Sequence, residues 1–204
     1  MNKIAEMFCR TALKLCVVSL LASATSAQQP VADENDKYKI SAQFLAGIEE
    51  KLWEDIDSEK RFYLTTKAAP AAFKAGDMKK AKSYSYDLLK QAETWKTNWN
   101  YGNAIHVANL VLGRIALANG AVDEAKRFLL EAGKTSGSPQ LNSFGPNMLL
   151  ARELLEKGER ETVIRYFELC AKFWDRKFSK LDGWKVVVKK GDIPEFGPNL
   201  LYQL

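Results

Sequence analysis

The only histidine in the sequence, His106, is the first residue to consider for chemistry. It stands on a predicted helix with Asn103 and Asn109 three residues to either side. A zinc site needs several clustered histidine, cysteine or carboxylate ligands, and His106 has no such cluster nearby in the sequence. The sequence also lacks the Gly-x-Ser-x-Gly turn in which a serine uses an imidazole as its base. We therefore interpret His106 as a hydrogen-bonded helix residue, with contact to a bound partner as the alternative.

The other nucleophiles and carboxylates also predict that the chain is not an enzyme. Cys170 lies in an apolar helical stripe, where a thiol acts as a small hydrophobic side chain. Adjacent acidic residues such as Glu49-Glu50 and Asp123-Glu124 point apart on a helix, whereas glycoside hydrolysis needs two carboxylates that face each other across a cleft. No glycine-rich phosphate loop occurs. We expect no metal and no cofactor.

Two arginines 38 residues apart have the chemistry of a binding site. Arg114 and Arg152 follow similar apolar stretches, and Asn109 and Asn147 precede them at the same distance. Two guanidinium groups on neighbouring helices would suit a carboxylate, such as a peptide C-terminus or an acidic side chain. The alternative is that each arginine pairs with Glu or Asp within the fold. We predict Arg114, Arg152, Asn109, Asn147 and His106 as partner-binding residues.

Three aromatic residues, Trp95, Trp99 and Tyr101, form a second candidate site. The two tryptophans are four residues apart, so they share a face on a helical turn. Aromatic faces supply a large contact area and would stack on a sugar or hold a peptide. The alternative is that these rings fill a packing gap between helices.

The first 27 residues have the pattern of a signal peptide. Basic residues precede an apolar run at 15–22, and a stretch of small residues follows. The apolar run is too short to span a bilayer, which needs about 20 residues. We predict cleavage after Ala27, or alternatively after Ala24, and a periplasmic or secreted location. Residues 28–39 are polar and unpatterned, which predicts a flexible segment.

Charge excludes a nucleic-acid partner. The leader contains three of the 30 basic residues and one of the 25 acidic residues, so the remaining 177 residues carry a formal net charge of only +3. Nucleic-acid binding requires a concentrated basic face, and here the two signs are interleaved. This length is that of one ordinary domain, and no segment after the leader is apolar enough to span a membrane. The oligomeric state does not follow from the sequence.

Apolar residues recur at helical spacing along the rest of the chain. The first stripe predicts an N-terminal capping helix over 40–57, with Pro70 either kinking the next helix or delaying its start. Glycines between periodic segments predict helix ends, because glycine accepts the left-handed conformation common just past a helix. Residues 133–145 are predicted to be irregular, and residues 186–188 to be helical. The stripe is formed by Ile40, Phe44, Ile48, Leu52 and Ile56, and the glycines are Gly76, Gly120 and Gly158.

An internal repeat organises these helices. Residues 109–132 align without gaps over residues 147–170, with Gly120 over Gly158. Each copy is an apolar helix, a glycine turn and an amphipathic helix. A weaker copy covers about 58–95, and its separation from the next copy is longer than 38 residues. One such hairpin cannot bury its apolar face alone, and stacking of neighbouring hairpins solves this problem.

The second copy resembles a tetratricopeptide repeat. Asn109 replaces the tryptophan usual in that family, and the period is 38 rather than 34 residues. The resemblance implies an all-α fold, a short right-handed α-solenoid of tetratricopeptide-like hairpins with flanking capping helices. It also implies that first helices line a concave groove, and that Arg114 and Arg152 face it. The matching residues are Leu112-Gly113, Ala116, Gly120, Ala125, Leu129 and Ala132.

The end of the chain repeats a helix-entry motif, since Phe-Gly-Pro-Asn occurs at 144–147 and again at 196–199. The second copy either docks on the last hairpin or presents a mobile tail to a partner. We predict a leader over 1–27, a flexible segment over 28–39, a capping helix over 40–57, repeats within 58–178 (about 58–95, 101–133 and 146–176) and a C-terminal helix and tail over 179–204.

These expectations predict an exported interaction module that binds a peptide or protein segment in its concave groove. The alternative is a small-ligand or glycan-binding protein of the cell envelope that uses Trp95, Trp99 and Tyr101.

Overall fold

The computed structural model describes residues 34–174 and 180–201, and every regular element in these ranges is a helix. The predicted all-α fold is confirmed. The predicted leader and its cleavage sites lie outside the described residues. The helices are α1 Glu34–Trp53, α2 Ser58–Lys74, α3 Met78–Ala92, α4 Tyr101–Ala118, α5 Val122–Gly133, α6 Pro139–Phe144, α7 Leu149–Glu156, α8 Arg160–Cys170 and α9 Leu181–Lys189, followed by a 3₁₀ helix at Gly197–Leu200. None of these described helices is long and apolar enough to cross a membrane.

Three helical hairpins, α2–α3, α4–α5 and α7–α8, are closed by the same turn. Gly76, Gly120 and Gly158 have φ of 78°, 78° and 85°, in the left-handed region that favours glycine. Beyond each glycine, the next backbone N–H donates to a carbonyl five residues earlier, which is the Schellman arrangement. The bonds run from Asp77 to Ala72 at 3.0 Å, from Ala121 to Ala116 at 2.9 Å and from Glu159 to Leu154 at 3.0 Å.

Neighbouring hairpins pack side by side in chain order. The first helices adjoin, α2 against α4 and α4 against α7, while α3 contacts α4 and α5 contacts α8. Gly113 of α4 permits one of these approaches, because a Cβ there would lie 2.3 Å from Leu150 Cδ2. The predicted small and large positions of α5, Ala125, Leu129 and Ala132, are fully buried. The α1 helix packs on α2, and α9 packs on α8.

The α1 helix differs from the sequence expectation in three ways. It ends at Trp53 instead of Asp57, so Ile56 of the predicted stripe lies beyond it. It begins at Glu34, within the segment expected to be flexible. Its core face is formed by Leu45, Ile48 and Leu52, whereas Ile40 and Phe44 are 64% and 59% exposed. A spacing of four residues advances the stripe by about 40° per step on a helix of 3.6 residues per turn. The predicted stripe therefore rotates out of the core towards its N-terminal end.

Three further segments complete the account of the chain. The α2 helix begins at Ser58 and continues through Pro70, so of the two alternatives, a kink or a late start, the late start does not occur. Part of the segment expected to be irregular forms α6, whose Ser138 hydroxyl accepts a bond from the Leu141 N–H at 3.0 Å. This serine followed by Pro139 is a helix-start signal. Residues 186–188 are helical, as predicted.

The C-terminal copy of the Phe-Gly-Pro-Asn motif docks on the first copy. The Asn199 side-chain amide donates to the carbonyl oxygens of Phe144 and Pro146, both at 3.0 Å. The Asn199 carbonyl accepts from the Met148 N–H at 2.9 Å. Phe196 is buried against Trp184 and Phe167, with ring centroids 4.9 Å and 6.2 Å away. Of the two expectations for this segment, docking is the one observed through Leu201.

Candidate functional site

His106 is buried and joins two hairpins. Its Nδ1 lies 3.1 Å from the Ala132 carbonyl oxygen, and its Nε2 accepts from the Asn147 N–H at 3.2 Å. The carbonyl can only accept, so Nδ1 carries the proton and the imidazole is neutral. Burial lowers the pKa of His106 to about 4. Both ring nitrogens are therefore committed within the fold, and no face of the ring is exposed.

The two predicted arginines do not form a common site. Arg114 binds Glu153 of α7 in a bidentate ion pair, with Nε–Oε2 and Nη2–Oε1 distances of 3.0 Å and 2.6 Å. Its guanidinium also lies over the Phe73 ring, 4.5 Å from the centroid. Arg152 pairs instead with Glu156 one turn further along α7, and both side chains are about half exposed. Each arginine thus has an acidic partner within the fold, which is the alternative stated for them.

The predicted asparagines are also used inside the fold. Asn109 donates to the Ile105 carbonyl at 2.8 Å, within its own helix. Asn147 is fully buried, and its side-chain oxygen accepts from the Leu149 N–H at 2.8 Å at the start of α7. Neither side chain is free to meet a partner.

The three predicted aromatics are divided between core and surface. Trp95 stacks on buried Phe62 at 6.2 Å and joins the small core between α2, α3 and α4. Trp99 is 50% exposed and lies beside a depression that Tyr101 also lines. The packing alternative therefore holds for Trp95, and only Trp99 offers much of its ring to solvent.

A pocket of about 370 Å³ lies among α1, α2 and α4, and we call it the α1–α2–α4 pocket. The α1 wall carries the exposed side chains of Ile40 and Phe44. The α2 wall carries Pro70 between two lysines. The exposed area of the lining is mainly apolar, as is common for binding sites, although six of its eleven residues have polar side chains. The residues that line it are Ile40, Ser41, Phe44, Thr66, Lys67, Pro70, Ala71, Lys74, Asn100, Asn103 and Val107.

Charge in the α1–α2–α4 pocket is positive and uncompensated. Lys67 and Lys74 are two helical turns apart on α2, so they share its face. Neither ammonium forms an ion pair with a carboxylate in the described part of the chain. Burial and, secondly, the nearby Arg114 guanidinium lower the pKa of Lys74. An anionic group placed here would be favoured because it relieves this unbalanced charge.

A network of neutral side chains supports the α4 side of the pocket. The Asn100 amide donates to Thr66 Oγ1 at 3.0 Å and joins α4 to α2. Asn103 donates to Asn100 Oδ1 at 3.1 Å and to Gln140 Oε1 at 3.0 Å, and accepts from Ser138 Oγ at 2.6 Å. These bonds satisfy buried amides and fix the wall, which limits the entropy lost when a ligand binds.

Sequence reasoning missed this pocket, although a signal for it is present. Lys67 and Lys74 are seven residues apart around a proline, and Ile40 and Phe44 belong to the apolar stripe that predicts the capping helix. The relevant signal is that side chains spaced four residues apart shift gradually around a helix. The two ends of a long stripe with this spacing therefore cannot both face the core.

No group of three or more His, Cys, Asp or Glu side chains with metal-binding geometry occurs among residues 34–174 and 180–201. Cys170 is fully buried, where burial raises the pKa of its thiol. Comparison of the chain with protein-family models, with curated proteins and with solved structures gave no match.

Proposed function

We propose that this chain is an exported interaction module that binds a peptide or protein segment, and that the segment binds in the α1–α2–α4 pocket. The observation that carries the proposal is the exposure of Ile40 and Phe44 on a pocket whose α2 wall bears two lysines that pair with no carboxylate within residues 34–174 and 180–201. Large apolar side chains beside a concave surface are typical of interaction sites.

The packing order supports a tetratricopeptide-like solenoid as the scaffold. Three hairpins with the same glycine turn follow one another, and their first helices α2, α4 and α7 adjoin. In such a solenoid the first helices line the concave side, and α2 and α4 both line the pocket. The α1 helix and the C-terminal helix with its docked tail would then be the capping elements.

The chemistry of the pocket indicates the kind of segment. Phe44, Ile40 and Val107 would surround an apolar side chain, which gains roughly 1.5–3 kcal/mol when it leaves water completely. Lys67 and Lys74 would pair with a carboxylate on the same segment. A segment that presents an apolar side chain next to an acidic one therefore complements the pocket, whereas a basic segment is repelled.

Selection from a phage-displayed random peptide library tests the proposal with the purified chain. We expect the selection to enrich peptides that combine apolar and acidic residues. Synthetic copies of these peptides should bind the purified chain with an affinity that falls as the salt concentration rises. Phe44→Ala and Lys67→Glu should each weaken binding at least about tenfold, or about 1.4 kcal/mol. Failure to enrich any sequence would contradict the proposal.

Matched controls are available on α1 itself and on α3, the hairpin partner of α2. Trp53 is also on α1 and is 87% exposed, but it does not line the pocket. Lys82 is an exposed lysine of α3 that does not line it either. Trp53→Ala and Lys82→Glu should leave peptide affinity unchanged. Equal losses in the controls and the pocket variants would show that the peptide binds elsewhere.

The export part of the proposal rests on the leader pattern in the sequence. Expression of the full chain in a bacterium, followed by N-terminal sequencing of the purified protein, tests it. We expect Gln28 or Thr25 as the first residue. An N-terminus at Met1 would contradict export through a cleaved signal peptide.

A further inference from the structure

A second depression, of about 430 Å³, lies between the loop before α4 and the segment before and within α6. Trp99 and Tyr101 line one side, and Ser136 and Asn142 line the other. We call it the Trp99 depression. It shares no lining residue with the α1–α2–α4 pocket.

The Trp99 side chain is fixed in position by contacts with its neighbours. Its ring rests against Tyr63, with centroids 5.3 Å apart. The Tyr63 hydroxyl donates to Glu59, and the Asn98 amide donates to Tyr63 Oη at 2.9 Å and to Glu59 Oε1 at 2.7 Å. The half of the indole that does not pack inward is exposed. A ring held in this way loses little freedom when a ligand stacks on it.

The opposite side of the depression is also rigid. Gly102 and Gly137 touch so closely that a Cβ on Gly102 would lie 1.8 Å from the Gly137 carbonyl oxygen. Thr135 Oγ1 donates to the Gly102 carbonyl at 3.0 Å and accepts from the Gly137 N–H at 3.2 Å. This contact fixes the start of α4 against the segment that carries Ser136.

The polar groups of the depression indicate an uncharged ligand. Lys96 is the only ionisable group with a formal charge in its lining, and Glu93 pairs with it at 2.8 Å. The others are hydroxyls and amides, which bind hydroxyl groups as donors and acceptors. With its amide oriented to donate to the carbonyls of Phe173 and Ser138, Asn142 keeps its oxygen as an acceptor.

We infer that the Trp99 depression binds a neutral saccharide. A sugar ring presents C–H groups on one face, which pack on the electron-rich face of an indole, and hydroxyls around its edge. Trp99 would take that face, and Thr97, Ser136 and Asn142 would bond the hydroxyls. The volume suits a short oligosaccharide. This site is independent of the peptide pocket, so either site can exist without the other.

Titration of the ¹⁵N-labelled chain with N-acetylchitotriose, maltotriose and cellotriose tests the inference. We expect saturable amide shifts in at least one titration, concentrated at residues 96–102 and 136–142. Trp99→Ala should weaken that binding at least about tenfold. The Trp53→Ala variant, which removes an exposed tryptophan of α1, should bind normally.

Three results would overturn the inference. The first is an absence of shifts with all three sugars up to about 10 mM, which corresponds to no useful affinity. The second is unchanged binding by Trp99→Ala. The third is a set of shifts centred on α1 and α2. If Trp99→Ala does not fold, Asn142→Ala replaces it, with the same expected loss. Peptides selected for the other pocket should not compete with the sugar.

Discussion

Protonation of one buried residue, His106, should make a distinct contribution to the loss of stability of this fold in acid. The imidazole is fully buried and neutral, donating from Nδ1 to Ala132 and accepting at Nε2 from the Asn147 N–H. A second proton would place an N–H of Nε2 against the N–H of Asn147, so the folded state resists protonation. The unfolded chain has no such constraint and binds the proton near the ordinary histidine pKa of about 6.5.

The sign and size of the effect follow from the two pKa values. The folded pKa of about 4 lies below the unfolded value, so the unfolded state binds more protons between them. His106 therefore does not reduce stability above about pH 6.5, and its cost grows as the pH falls towards the folded pKa. At 1.36 kcal/mol per pKa unit, the full cost is about 3 kcal/mol. This is a large part of the 5–15 kcal/mol typical of a domain.

Urea unfolding followed by far-ultraviolet circular dichroism measures this effect at several pH values between about 7.5 and 4.5. His106→Gln provides the control, because glutamine does not titrate. Carboxylates contribute equally in both proteins, so the difference between the two stability curves isolates His106. We expect the wild type to lose about 2–3 kcal/mol more than the variant across this range. Parallel curves would refute the assignment of a buried neutral imidazole.

Three further predictions concern contacts and turns that hold the helices together, and for each the free energy of unfolding is measured in urea. Arg114→Met breaks a partly buried bidentate pair and should cost about 1–3 kcal/mol, whereas Arg152→Met, in the same register but with an exposed pair, should cost under about 0.5 kcal/mol. Gly120→Ala forces φ of 78° on alanine and should cost about 1 kcal/mol, while Gly47→Ala, inside α1 with open space around it, should be neutral or stabilising. Asn199→Ala removes the amide that donates to the carbonyls of Phe144 and Pro146 and should cost about 1–3 kcal/mol, with faster amide exchange at Met148. Equal effects of the paired substitutions, or unchanged exchange in the last variant, would contradict these assignments.

The helices and their turns were predictable because they depend on neighbours in the sequence. Gly120 and Gly158 ended helices as expected, and their common offset revealed the hairpins. The α6 helix was missed although Ser138-Pro139 is a local start signal. Residues 133–145 are rich in turn-forming residues, but a serine cap followed by proline is enough to start a short helix among them.

The candidate site was less predictable because its residues are brought together over long separations. Arg114 pairs with Glu153, which is 39 residues away in the sequence. The sequence around Arg152 is similar, but Arg152 pairs with Glu156, only four residues away. Trp95 and Trp99 are four apart, yet no helix connects them in the fold, since α3 ends at Ala92. The expected common face therefore does not form, and the Trp95 ring is partly buried while Trp99 stays exposed.

The sequence by itself determined the all-α class, the positions of the glycine turns and the small and large residues that let neighbouring helices pack. These properties depend on backbone conformation and on periodicity within about one or two turns. Only the tertiary structure decided which polar side chains are used up inside the fold and which remain available. The side chains of His106 and Arg114 have partners in the next hairpin, whereas Lys67 and Lys74 pair with no carboxylate among the residues that the structure describes. The reason is physical: side-chain pairing acts over a few ångströms in space, and chain order does not specify that distance.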